Sequence, residues 1–425
     1  MSAMTDPPKP AFRLSQLIYD TRYRSITIQV VAFALIAYGI WALVSNTIGN
    51  LADLGKDFDF GFLGQSAGYD INQMLIPYDN QDTHGRAALV GIANTLLVAV
   101  MGCVTALVIG VLAGVARLSK NWVVAKLMAV YVEGFRNIPL LLWILLIHAV
   151  VSEALPQPNA FRGADPSASM LLGDSVALTG RGFYFPRIGF TNSLSGTEAV
   201  APREGYTAVA SGGMDWLVIL GVLAVSLVGI KLIRNRASRI QESTGVRPTT
   251  WYTQLGLLII PTGIVLTVLG ATIVTPYLKG FNFTEGMFLR SALVSLWVAL
   301  SLYTGAFIAE TVRAGILSVS KGQSEAAAAL GMQPGRTMSL VILPQAMRVI
   351  IPPLISQFLN LTKNSSLALA VGYMDVRATL GGITIAQTGR ELEGMLLLGA
   401  FYLTLSLVIS GAMNIYNNST KLMER

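Results

Sequence analysis

Lys321-Gly322-Gln323-Ser324-Glu325-Ala326-Ala327-Ala328-Ala329-Leu330-Gly331 is the segment that decides how this chain is organised. The alanine run favours helix, Ser320 or Ser324 offers a cap at its start, and Gly331 suits the left-handed turn that stops a helix. A second short helix is predicted through Arg336 and Met338 to Leu343-Pro344. The segment is therefore a helix–glycine–helix element, too polar to cross a bilayer. It lies between two apolar runs, 290–312 and 349–372, each long enough to span about 30 Å of hydrocarbon. An ordered polar element fixed at a membrane surface by the spans on either side is suited to meet a soluble partner. An alanine run alone would favour a plain cytoplasmic loop.

Outward from this element, further apolar runs occur at 26–45, 89–115, 127–154, 216–233, 254–275 and 395–416, which makes eight spans. Composition agrees. Of 425 residues, 53% are hydrophobic and 12% charged, with mean hydropathy +0.59, whereas soluble chains carry about 25% charged residues. The first run does not read as a cleavable signal peptide, because Ser45-Asn46-Thr47 is a poor match to a small-residue cleavage site. A single cysteine, Cys103, excludes a disulfide framework and a cysteine-built cluster. His84 and His148 lack ligand-like spacing, so no metal site is expected. Gly49 to Asp57 superficially resembles a P-loop, but it has one residue too many between its glycines and Asp57 where Ser or Thr is needed.

Charge sets the orientation. Lys9, Arg13, Arg22 and Arg24 precede the first span, and six aspartates follow it within 46–88. Arg117, Lys120 and Lys126 follow the second span; Lys231, Arg234, Arg236, Arg239 and Arg247 follow the fourth. With Arg313, Lys321, Arg336, Arg348, Lys421 and Arg425, 18 of the 30 basic residues fall on one side of eight alternating spans. That side is expected to be cytoplasmic, with both termini on it. The net charge of +7 thus reflects topology rather than nucleic-acid binding. The 155–215 loop is expected outside, with a short hairpin at Gly180-Arg181-Gly182-Phe183-Tyr184-Phe185-Pro186.

Within the spans, Gly102, Ala106, Gly110 and Gly114 form one small-residue ridge and Ser301, Gly305 and Ala309 another, as close helix packing requires. Glu133 and Arg136 are three apart, as are Glu310 and Arg313, so each pair can be satisfied locally in a structural or gating role. In the seventh span, Ser356, Gln357, Asn360, Lys363 and Asn364 fall within about 120° of one helix face. A polar stripe bearing a cation reads either as the wall of a water-filled path or as hydrogen bonding between helices. His148 and Glu153 are weaker candidates for such a path.

Glu325-Ala326-Ala327, three residues, Gly331, then eleven residues to Leu343-Pro344 resembles the "EAA" loop of ATP-binding-cassette importer permeases. Tyr303 to Ile316, Asn94-Thr95-Leu96, Tyr131 to Leu141 and Leu361 to Leu367 narrow the resemblance to the polar amino-acid (His/Glu/Gln/Arg/opine) permeases. It covers 89–154 and 290–416, the family's five-helix core. The resemblance implies an all-α, type I importer permease with about eight transmembrane helices. Its expected divisions are 1–88, with an extra helix and an extracytoplasmic loop; 89–154, the first part of the core; 155–289, an insert with two extra helices; and 290–425, the second part, with coupling loop 320–344. The enlarged form looks like the larger permease of general L-amino-acid or glutamate/glutamine/aspartate/asparagine uptake systems in a Gram-negative inner membrane.

The resemblance further implies a non-catalytic subunit that works with a related second permease, two ATPase subunits and an extracytoplasmic substrate-binding protein. ATP and magnesium would reside on the ATPases, with no cofactor in this chain. Coupling would fall to Glu325, Ala326, Ala327, Leu330, Gly331, Met332 and Arg336. Of these, Glu325 and Arg336 would form rim ion pairs, and Leu330 and Met332 an apolar anchor. Two departures stand out: Asn137-Ile138 replaces a common Gly-Thr, and Ser356-Gln357 replaces a common Asn-Glu. An ion-gradient-driven amino-acid transporter would share the spans and the stripe, but it would not need the loop. A membrane enzyme would need convergent catalytic groups, and no such cluster is legible.

Overall fold

The computed structural model describes residues 21–53, 55, 58–163, 165–195, 208–210 and 212–420. The orienting charges Lys9, Arg13, Lys421 and Arg425 lie outside them, as does the side chain of Arg22. Among the described residues, eight helices are long and apolar enough to cross a membrane. In chain order the main helices are α1 (Thr21–Asp53), α2 (His84–Ala116), α3 (Trp122–Asn137), α4 (Leu140–Ala149), α5 (Gly213–Thr244) and α6 (Trp251–Val268). They continue with α7 (Ser291–Leu317), α8 (Lys321–Ala329), α9 (Leu343–Asn364) and α10 (Glu391–Thr420).

Three run boundaries differ from expectation. The run 127–154 is two helices, because Pro139 has no N–H to continue the first and forces Ile138 into extended backbone (φ −108°, ψ 136°). The membrane span therefore begins at Leu140, and α3 precedes it. The run 254–275 stops as helix at Val268, and Ala271–Val274 is a strand. The seventh span begins much earlier than 349: helical backbone runs from Pro334 to Val371.

α7 is the central helix, with Leu293, Leu296, Leu300 and Ile308 fully buried between α2, α4 and α9. The two small-residue ridges meet face to face. A Cβ on Gly110 would lie 2.5 Å from Cβ of Ile308 and 2.9 Å from the Gly305 carbonyl oxygen, and one on Gly114 would lie 2.6 Å from the Ala309 carbonyl oxygen. Backbones this close exclude any larger residue. Trp297 Nε1 also donates to Thr105 Oγ1 (3.1 Å), tying the same two helices by a polar bond. α1 and α6 are the opposite case, with no buried residue in their most apolar stretches. Phe33 is 73% exposed and Trp41 64%, as lipid-facing side chains would be.

Among the described residues the helical membrane body carries seven short strands, all between 177 and 290: β1 (Ala177–Thr179), β2 (Gly182–Phe185), β3 (Arg187–Phe190), β4 (Ala271–Val274), β5 (Tyr277–Lys279), β6 (Asn282–Thr284) and β7 (Met287–Arg290). The anticipated hairpin is β1–β2, which pairs Thr179 with Gly182 across Gly180-Arg181. β7 adds to β2, while β3 pairs with β4 and β5 with β6, all antiparallel. Gly182 has φ 152°, and a Cβ there would lie 2.4 Å from the Leu289 carbonyl oxygen, so β7 can approach only a glycine. The fully buried Asp215 fastens residues 193–195 to the start of α5: its carboxylate accepts from the Ser193 and Ser195 hydroxyls and from the Leu194 and Gly212 N–H groups.

Candidate functional site

α8 carries the predicted element. Ser320 stands at its N-cap but forms no side-chain cap bond. At the other end, Gly331 (φ +73°) donates to the Ala328 carbonyl (2.9 Å) and Met332 to that of Ala327 (3.1 Å). This is the paired bonding that closes a helix on a left-handed residue. The turn leaves Leu330 82% exposed, an apolar side chain at the tip of a polar element, with Glu325 and Arg336 exposed nearby. Ala327 is buried on the inner face, and Gln345 Nε2 reaches Gln323 Oε1 (3.4 Å) to tie α8 to α9.

The expected separate second helix is not separate. Pro334–Thr337 begins it, a wide π-type turn at Met338–Ile342 follows, and this passes directly into α9. The wide turn fits Pro344, which has no N–H for the Leu340 carbonyl and would crowd that oxygen in an ordinary α-helix. The segment from Pro334 and the seventh span are thus one continuous rod, joined to α8 through the Gly331 turn.

Along α9, Ile350, Ile351, Leu354 and Leu361 are buried against the core. The polar stripe points the other way: Ser356, Asn360 and Lys363 are exposed, and Gln357 and Asn364 are half-buried. Gln357 also lines a cavity of about 330 Å³ with Arg136, Phe307, Glu310, Thr311 and Pro353. Residues proposed separately for gating and for the path therefore share one space, whereas Lys363 and Asn364 lie further along the helix and do not line it.

The charges pair differently from the local rule. Arg313 binds Glu310 through two nitrogens, with Nε at 3.1 Å, so that i,i+3 pair forms. The Glu133–Arg136 pair does not. Glu133 faces Arg117 (3.4 Å), which also binds Glu310, and the Arg136 guanidinium sits 5.3 Å from the centre of the Phe307 ring. Glu310 thus has both a local and a tertiary partner, and Glu133 a tertiary one. Arg117, read from sequence only as a topology charge, joins α2, α3 and α7 at one point.

A second polar assembly was not anticipated. Asn94 is fully buried, and its amide donates to the carbonyls of Gln73 (2.7 Å) and Met374 (2.8 Å). Thr95 Oγ1 accepts from Val376 N–H (3.0 Å), and the Tyr373 hydroxyl donates to the Asn94 carbonyl (3.0 Å). Between them lies Asp375, fully buried, with one oxygen accepting from Ala378 N–H and the other without a partner among the described residues. Burial pushes its carboxyl up to about 7. His84 at the start of α2 meets Thr384 Oγ1 at 3.1 Å. These contacts knit the loop after α1, the start of α2 and the segment between α9 and α10 into one cap. Asn94-Thr95 was visible as a motif, but nothing in the sequence around Asp375 signals burial.

The chain matches the family described as binding-protein-dependent transport system inner membrane component over residues 106–422. It is 54% identical to the glutamate/glutamine/aspartate/asparagine transport system permease protein BztB of Rhodobacter capsulatus, over the full length of both. It is 41% identical to the general L-amino acid transport system permease protein AapQ of Rhizobium johnstonii, over 96% of this chain and 95% of that one. Against the putative amino-acid ABC transporter permease protein YhdX of Escherichia coli, identity is 40% over 95% of each. Eight membrane-length helices and end-to-end similarity lead to one assignment: the chain belongs to the family of binding-protein-dependent transport system inner membrane components.

Proposed function

We propose that this chain is the larger permease of an ATP-driven importer of polar L-amino acids, with glutamate, glutamine, aspartate and asparagine or a broader L-amino-acid range as cargo. The names of its relatives support that range. The observation that carries the mechanism is the short hydrogen-bonded turn at Gly331 that joins α8 to the helical rod Pro334–Val371. ATP hydrolysis takes place on two partner ATPase subunits. Leu330 and Met332 enter an ATPase socket, Glu325 and Arg336 pair at its rim, the exposed Ala326 lets α8 lie close to it, and the buried Ala327 seats α8 on this chain's own body. ATPase closure then moves the polar face of α9 without a flexible joint between them.

A related second permease covers that face, and an extracytoplasmic binding protein delivers substrate. An exposed Lys363 facing lipid would cost about 2.5–3.5 kcal/mol, which supports placing the stripe on a water-filled path between the two permeases. Both termini are cytoplasmic in this reading, in keeping with the basic segments that follow the second and fourth spans. In reconstituted liposomes the chain alone gives no amino-acid uptake, and the complete assembly gives uptake only with ATP inside. ATP-independent uptake by the single chain would reject this reading in favour of an ion-gradient-driven transporter.

The path itself is tested at Gln357. A carboxylate there would share the cavity with Arg136, offset its charge and repel acidic cargo. Charges at about 4 Å interact by about 4 kcal/mol at an effective dielectric near 20. Open water lowers this to about 1.4 kcal/mol, a tenfold change. With the binding protein unchanged, Gln357→Glu lowers aspartate and glutamate uptake about tenfold more than glutamine uptake. Equal loss for all three would make Gln357 a packing residue, and no change would move the path elsewhere.

A further inference from the structure

The cap built from Gln73, the start of α2 and residues 373–384 is short of hydrogen-bond donors. Gln73 Oε1, Asn94 Oδ1 and Asp375 Oδ2 are all buried, and all lack a partner among the described residues. The Asn94 amide cannot turn to relieve this, because its nitrogen already serves the Gln73 and Met374 carbonyls. Asp375 is pinned from both sides, by that bond to Met374 and by Val376 N–H on Thr95 Oγ1. α2 also lies tight against it: a Cβ on Gly91 would sit 2.9 Å from the Asp375 carbonyl oxygen.

No ion pair reaches Asp375 among the described residues. Arg377 turns its guanidinium to the Gly381 carbonyl (2.6 Å). The Gly91–Thr95 turn of α2 carries no ionisable group, the Tyr373 hydroxyl is given to Asn94, and Tyr402 of α10 lies beside Ser365 and Ser366. His84 binds Thr384, and Asp70 of the loop before α2 is exposed. Glu393, buried at the start of α10, is the contrast, since Arg390 (3.3 Å) and the Asp59 N–H (3.2 Å) both meet it.

We propose that Asp375 is a proton-operated latch between α2 and the segment that joins α9 to α10. Protonation turns one open acceptor into a donor in a cap that has acceptors to spare. Ionisation leaves a buried charge without a counter-charge, and the contact opens to hydrate it. Opening returns the carboxyl from about 7 to its ordinary value of about 3.9, and so releases one proton. The closed cap is therefore most stable below about pH 4, loses stability as pH rises to about 7, and changes no further above that. One proton sets a limit of about tenfold per pH unit. In the topology of the proposed transporter the cap lies outside, so external pH is the signal; the latch itself does not rest on that reading.

The test is hydrogen–deuterium exchange of the complete detergent-purified assembly from about pH 5 to about pH 7. Protection within 84–95 and 373–384, corrected for intrinsic exchange, falls about tenfold or more over that range, while peptides of α7 stay level. Asp375→Asn caps the following turn as well as aspartate does but does not titrate, and its protection is the same at both ends of the range. Asp375→Ser, also a capping residue, gives the same flat profile. A flat profile in the wild-type protein, or a slope that survives in both variants, would overturn the latch. So would an equal fall in α7, which means general loosening. Protection that follows added sodium at constant pH and ionic strength would also overturn it, because a metal cation would then be serving the open acceptors. Uptake is measured on the same preparation, so a failed transport reading appears as absent uptake with the pH profile intact.

Discussion

Gly110→Leu leaves little folded protein. The substituted side chain begins at a Cβ 2.5 Å from Ile308 Cβ and 2.9 Å from the Gly305 carbonyl oxygen. Neither neighbour is the free end of a flexible side chain: one is the branch point of a fully buried residue, the other is helix backbone. α2 and α7 must separate, and with them go the Trp297–Thr105 bond and the packing of Gly114 on Ala309. Overpacking typically costs about 1–3 kcal/mol, and a clash with backbone lies at or beyond the upper end. The measure is monodisperse protein recovered by size exclusion, expected to fall more than tenfold. Gly39→Leu in α1 is the comparison: nothing lies within 4 Å of its Cβ, and recovery is unchanged. Normal recovery of Gly110→Leu would mean that the two ridges are not in contact.

Gly331→Val gives the opposite pattern, intact protein with transport near background. The space around Gly331 is open, so the penalty comes entirely from its φ of +73°. A left-handed residue with a side chain costs about 1–2 kcal/mol, and a β-branched one is the worst case. The turn relaxes toward ordinary helix, the bonds from Gly331 and Met332 to Ala328 and Ala327 are lost, and Leu330 no longer points from the tip. Membrane insertion and core packing are untouched, because α8 meets the core through Ala327 and the Gln345–Gln323 bond. Gly331→Asn tolerates the left-handed region better and retains more activity. Wild-type ATP-dependent uptake by Gly331→Val would show that α8 is not the coupling element.

What was legible in the sequence was what local chemistry decides. Apolar runs long enough for the bilayer, ridges of small residues and a glycine after an alanine helix each reflect a constraint contained in a few consecutive residues. The break at Ile138-Pro139 was equally local, but strong apolarity on both sides masked it. The strands of the insert were harder, since β2 finds β7 across about a hundred intervening residues and neither is long enough to show an alternating pattern. Charge partners were least legible. Spacing favoured Glu133 with Arg136, but the fold brings Arg117 closer to Glu133 and a phenyl face to Arg136. Asp375 reads as a loop aspartate until the cap folds over it.

The register of β3 and β4 bears on how the chain came to its length. Phe190 and Ala271 are directly paired, and Thr191 N–H still reaches the Gly270 carbonyl at 3.2 Å. The two ends of segment 191–270 are therefore neighbours, as near as the two sides of an ordinary hairpin turn. Topologically, both accessory helices are an elaborated turn between adjacent strands. Material of any size can be added or removed there while the strand ends stay where they are, so the insert offers a natural splice point at which the core need not be redesigned.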